Sequence, residues 1–124
     1  MASSELQSVL YSVLTNALPN MPVYDDVPET ADTPYVVIGE DHAINIGGKL
    51  EPIYEITASI YVFSTYKGMK EVKELSSQIV EALSEIDTEY SDGFIRYLRL
   101  ESIEHRKEGE DMRTAEISMV FTVS

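Results

Sequence analysis

The sequence contains no cysteine and no tryptophan, only two histidines, and nine lysines and arginines against 22 aspartates and glutamates. Each scarcity excludes something. Without cysteine there is no disulfide and no thiolate chemistry, which fits a reducing cytosol. No apolar run approaches the roughly 20 residues that span a bilayer as a helix. Met1-Ala2-Ser3-Ser4-Glu5 has no basic segment ahead of an apolar one, so it reads as the start of the domain and not as a secretory signal. The formal net charge of −13 disfavours an ordinary duplex-binding role, which needs a basic patch to neutralise phosphates. It leaves open a protein that DNA passes without adhering.

What is present is a globular chain. At 124 residues with 44% hydrophobic content, it is one domain, residues 1–124, able to bury a core without staples. The acidity therefore belongs to a folded surface and not to a disordered tail.

The motifs that would carry chemistry fail on inspection. Gly47-Gly48-Lys49-Leu50 lacks the earlier glycine, the Ser or Thr and the following helix of a phosphate loop, and reads as a hairpin tip. Asp87, Glu89, Ser91 and Asp92 precede Gly93 in the manner of a calcium loop. The glycine is one position late, and Leu98 stands where the bidentate Glu belongs, so a solvated turn is expected. His42 and His105 lie in expected loops with no second ligand at metal spacing. No Gly-x-Ser-x-Gly occurs, and the carboxylate pairs Asp25-Asp26 and Glu101/Glu104 mark no cleft. No catalytic residue, metal site or cofactor is expected, and the chain does not read as an enzyme.

Hydrophobic periodicity lays out the elements. Leu6, Val9, Leu10, Val13, Leu14 and Ala17 recur at helical spacing. Ser4-Glu5-Leu6-Gln7 has the form of a capping box, and Pro19 stops the chain from continuing as helix, giving a helix over about 4–18. Residues 19–33 carry three prolines and four acids without a base, a surface linker with room for a small strand at Met21 to Tyr24. Tyr35 to Asp41 is a strand with Pro34 at its edge. After a flexible Ile44 to Pro52 hairpin, Tyr54 to Ser64 alternates with period two. Val72, Leu75, Ile79, Ala82, Leu83 and Ile86 give a second amphipathic helix over about 68–87. A polar turn at 87–93, a strand from Phe94 to Glu104, a charged turn from His105 to Asp111 and a strand from Met112 to Val123 complete the chain. In the strand from Phe94, Arg96, Leu98 and Leu100 are expected on one face and Ile95, Tyr97, Arg99 and Ile103 on the other.

The order α-β-β-α-β-β predicts an α+β fold, a mostly antiparallel four-stranded sheet with both helices packed on one face. Ile56, Ala58, Ile60, Ile117, Met119 and Phe121 are expected on the buried face, and both polar loops are expected to be mobile.

The same order, with the Pro34-Tyr35-Val36-Val37-Ile38-Gly39-Glu40 strand after the first helix and a Lys/Glu-rich amphipathic helix after the Tyr54 strand, resembles the phage tail-completion family. The likeness runs from about Leu6 to Val123. It implies a tail-terminator-like fold and a structural role in the virion neck, that of a ring at the head-proximal end of the tail that terminates the tube and joins it to the head connector. It further implies that the ring is a hexamer matching the tube, compatible with a monomer in solution. The partners would be the tail tube protein, the head connector or head-completion protein, and further copies of the chain. DNA would pass through without specific binding, and no membrane would be involved. The protein would act in the host cytoplasm during assembly and in the virion afterwards. Pro34, Tyr35 and Gly39 match the family pattern and read as structural. The reading from another class is a small α+β ligand-binding or regulatory module.

Two charge patterns stand out. Arg96, Arg99, Arg106, Lys107 and Arg113 are interleaved with Glu101, Glu104, Glu108, Glu110 and Asp111, as cross-strand pairing would require. The second helix instead has Lys67, Lys70 and Lys73 at its start and Glu81, Glu85 and Asp87 at its end, the reverse of what the helix dipole favours. The pairs Lys67–Glu71 and Lys70–Glu74 also run in the weaker order. A sequence that breaks a local rule can gain elsewhere. These residues, with Ile44, Gly47, Gly48 and Lys49 of the hairpin, are the candidate contacts between subunits or with partners.

Overall fold

The computed structural model describes residues 2–90 and 92–124. The chain order is α1 (Ala2–Ala17), β1 (Val23–Tyr24), β2 (Tyr35–Asn45), β3 (Tyr54–Ser64), α2 (Lys70–Leu83), β4 (Asp87–Tyr90), β5 (Gly93–Glu108) and β6 (Met112–Val123). The class is α+β, but the sheet has six strands and is mixed, in the order β1-β2-β3-β6-β5-β4. The four expected strands form its centre, antiparallel throughout. Two short edge strands join those four, and the first, β1, falls within the small strand expected at Met21 to Tyr24. β1 runs parallel to β2 at Val36 and Val37, and β4 runs antiparallel to β5. Both are too short to show a hydrophobic period, which is why the 87–93 segment reads as a turn.

Apolar alternation decides the faces. Ile56, Ala58, Ile60 and Val62 of β3 and Ala115, Ile117, Met119, Phe121 and Val123 of β6 are all buried in one cluster. Leu6, Leu10 and Leu14 of α1 and Val72, Leu75, Ile79 and Leu83 of α2 join it from above. Both helices therefore cover one face, as the pattern predicts. α2 lies along the sheet, with Glu71 near Ser64 at one end and Ile86, just past the helix, accepting from the Tyr97 amide at the other.

Four expectations need correction. α1 begins at Ala2, so Ser4 sits within the helix and is no cap; Gln7 instead donates from Nε2 to Asp25 Oδ2 at 3.3 Å. α2 spans 70–83 and not 68–87. The expected charged turn from His105 is strand as far as Glu108, and only the short stretch 109–111 turns, with Gly109 at φ 71°. β5 is also not a simple alternating strand. Its register against β6 shifts between Tyr97 and Arg99 and again between Leu100 and Ser102. Each extra residue flips the faces that follow. Leu100 opposes Met119 and Ile103 opposes Ile117 on the helix side, while Arg96 and Arg99 share the open side.

The PYVVIGE strand has a physical explanation. The Thr33–Pro34 peptide is cis immediately before β2. Tyr35 packs between Tyr24, edge to face, and Phe63, tilted, with ring centroids 5.7 and 5.2 Å away. β2 bulges between Ile38 and Asp41, and there Tyr61 lies over Gly39 so closely that a Cβ would collide with its ring. The Tyr61 hydroxyl reaches past it to Glu40 Oε1 at 2.6 Å.

Candidate functional site

The molecule presents two ends, set by α2 and the strands beneath it. At one end the β2–β3 connection, 46–53, projects beyond the sheet. It is closed at its base by the Ile46 amide donating to Ile53 carbonyl at 2.7 Å and by Gly47 N–H donating to Asn45 Oδ1 at 2.9 Å. Gly47 is packed against Glu51 and Ile53, so a side chain there would meet backbone, whereas Gly48 faces open space. Ile44, Ile46 and Leu50 are exposed, Leu50 at 98%. Apolar groups presented this way on a connection mark a contact surface better than isolated ones do. Lys49 sits in the same loop. Glu81 and Glu85, exposed, lie toward this end of α2.

At the other end lie the start of α2 and the β5–β6 turn. Lys67, Lys70 and Lys73 are exposed there, and α2 has no side-chain cap at Met69. The expected Lys–Glu pairs do not form. Glu71 instead accepts the Ser64 hydroxyl at 2.5 Å.

A division of the cations follows. Arg96 pairs with Asp87 at 2.9 Å and Glu89 at 2.8 Å. Arg99 pairs with Glu55 and Glu101, and Arg106 with Glu104, Glu108 and Glu116. Arg113 is buried and donates to the carbonyls of Glu110 and Met112. Among the described residues no lysine enters an ion pair. The arginines are consumed within the fold, and the lysines are left for something else. Asp87, a candidate contact, sits on β4 and is occupied by Arg96. That pairing also explains the calcium-like spacing, since Asp87 and Glu89 converge on a guanidinium; Ser91 of the same stretch lies outside the described residues.

Sequence reasoning missed one juxtaposition, because it placed His105 in a loop. His105 is on the helix side of β5, opposite Ala115, with Nε2 3.3 Å from Ser76 Oγ of α2. The Ser76 hydroxyl donates to Val72 carbonyl at 2.6 Å, so His105 is the donor to Ser76. Ser76 is 1% exposed, and its proton is engaged by the helix backbone. The pair is a packing contact, not a nucleophile with its base. Burial first, and Lys73 second, push the His105 pKa below its ordinary value. Among the described residues no group of three His, Cys, Asp or Glu side chains is placed to hold a metal, and no helix is long and apolar enough to cross a membrane.

The model of the tail completion protein gp17 family matches residues 7–123, nearly the whole chain. The chain belongs to that family. The family is one of structural phage tail proteins and not of enzymes. A chain in the virion of a native gene transfer agent particle has a similar fold, with a TM-score of 0.75 at 22% identity over 92% of this chain and 90% of that one. No curated protein matches.

Proposed function

We propose that this tail completion protein is a structural part of the virion neck, forming a ring at the head-proximal end of the tail. The ring ends growth of the tail tube and offers a docking face to the head connector. The observation that carries the reading is the two-ended form of a family member. One end carries the exposed apolar connection 46–53, and the other carries the unpaired lysines of α2. A joint between two different assemblies needs two chemically different ends, and a closed ring needs a heterologous interface between its copies. The fold likeness to a chain of a gene transfer agent virion supports the same setting.

In this account Ile44, Gly47, Gly48 and Lys49 contact one neighbour of the ring, either the tail tube or the connector. Lys67, Lys70 and Lys73 meet an acidic patch on an adjoining copy. If the ring axis runs along the strands, all copies lie at one height. Glu81 and Glu85 are then at the wrong end of α2, and the acidic linker 25–32 beside β1 is at the right one. With 22 acids against nine bases, the lumen is neutral or negative, so DNA slides through it. Six copies would match the symmetry of the tube, and the protein would leave the host cytoplasm as part of the virion.

The experiment is electron microscopy of particles made with and without this protein. Tails of irregular length, or tails detached from filled heads, are expected in its absence. Normal joined particles without it would reject the proposal.

A further inference from the structure

The helix-side residues of the four central strands form rows that cross the sheet. One row consists of Ile38, Ile60, Ile117 and Ile103, from β2 through β3 and β6 to β5. The first three are buried, and the last, on β5, is 37% exposed. The next row ends in Leu100, also 37% exposed, and the bulge residue Leu98 is 45% exposed. β4 covers the β5 edge only from Gly93 to Arg96, so the apolar residues Leu98, Leu100 and Ile103 line a stretch without a strand neighbour.

At the opposite edge of the sheet the same row begins beside a groove. The groove has a volume of about 460 Å³ and is lined by Ser4, Gln7, Ser8 and Tyr11 of α1, Asp25 after β1, and Ile38 of β2. Tyr11 is 51% exposed. β1 covers β2 only at Val36 and Val37, so β2 beyond Ile38 is likewise a free edge. Resting on the ring reading above, we infer that the ring closes by docking Leu100 and Ile103 of one copy into the α1–β2 groove of the next.

Two features select a second copy as the occupant. The groove, Leu100 and Ile103 lie on the same side of the sheet, so a rotation about an axis along the strands brings them together without inverting either. The central strands alternate in direction from β2 to β5, so β5 of one copy and β2 of the next meet antiparallel, continuing the alternation.

The bulges fit the same account. Those of β2 and β5 fall on the two free edges, where they oppose unprompted strand pairing. Contact then rests on side chains entering a groove, and free copies stay apart until a template holds them side by side.

The absence of cysteine gives a clean test. Tyr11→Cys with Ile103→Cys, and separately Asp41→Cys with Leu100→Cys, place one thiol on β5 and the other at the far edge of the molecule, on α1 where it packs over β2 or on β2 itself. These are three strand spacings apart, about 14 Å, too far for a disulfide within one chain. Oxidised particles are expected to yield a ladder of covalent multimers up to a closed ring. A control pair at the two ends, Lys49→Cys with Glu110→Cys, is expected to stay monomeric. In parallel, Leu100→Glu/Ile103→Glu, both at exposed positions, is expected to keep the thermal transition of the free protein and lose the ring from particles. A ring visible in particles without cross-links from either edge pair, or an intact ring in the double glutamate variant, would overturn the edge docking and leave the ring itself standing. Particles with no ring would overturn both.

Discussion

Tyr61 and Glu40 are joined by a 2.6 Å hydrogen bond that spans the β2 bulge, with the tyrosine ring lying across Gly39. The bond sets both titrations. The Tyr61 hydroxyl, helped by a backbone contact, holds the Glu40 carboxyl below its ordinary value of 4.5. The carboxylate, with burial second, pushes the Tyr61 pKa from 10.0 up to about 12. The folded state thus favours neutral Tyr61. Its contribution to stability is complete below pH 10 and is lost as the pH rises through about 12. The Glu40 contribution is present above 4.5 and is lost as the pH falls through its lowered value. A spectrophotometric titration should resolve one tyrosine ionising near pH 12. Glu40→Gln should bring that ionisation down, and so should Gly39→Ala by displacing the ring. An unchanged late titration in both variants would show that the hydrogen bond is not its cause.

The core makes a sharper demand. Ile60 is fully buried on a central strand, between Ile38 and Ile117. Ile60→Ala should destabilise the protein by about 2–5 kcal/mol in chemical denaturation. A loss under about 1 kcal/mol would mean that the cavity collapses or that the row is less closed than its burial indicates.

The ease of reading the sequence tracked periodicity. β3 alternates from Ile56 onward, and so does the helix side of β6, whose buried residues Ala115, Ile117, Met119, Phe121 and Val123 were legible one by one; Val120, buried on the opposite face, was not. β5 was not legible in this way, because its first bulge moves Leu100 to the helix side and Arg99 to the open side, and its second returns Ile103 to the face expected for it beside Ile95 and Tyr97. The edge strands β1 and β4 are held by pairing with β2 and β5, a long-range cause with little local signature. Of the candidate contacts, the hairpin glycines were legible as a tip, and the α2 lysines as charges opposing the dipole. That every arginine is consumed internally and no described lysine is follows only from the folded positions.

The lysines are the next test. Lys67→Glu/Lys70→Glu/Lys73→Glu should leave the free protein folded, since exposed charges contribute little to stability. It should block ring formation or head–tail joining, and reversal of acids in the 25–32 linker to Lys should partly restore it, because complementary patches set register and encounter. His105 supplies an internal check. Burial and then Lys73 hold its pKa below 6.5, so replacing Lys73 by Glu should raise it in an NMR titration. A raised His105 pKa with normal infectious particles would show that the charge changed and that assembly does not need it.

The 46–53 connection is anchored at its base and carries Leu50 almost fully in solvent. Amide exchange in the free protein should be fast across 47–52 and across the 109–111 turn, and slow in β3 and β6. Leu50→Asp should leave stability within about 0.5 kcal/mol and lower particle titre. Strong protection of both loops in a monomer would argue against their being free contact elements.

The role of the protein is decided by its position in the particle. Averaged electron micrographs of the neck of intact particles measure it directly. The account predicts a single closed ring of this chain between the last tail-tube ring and the head connector, with the 46–53 connections pointing along the axis. Copies distributed along the tube, or a neck in which this fold fits no density, would contradict it.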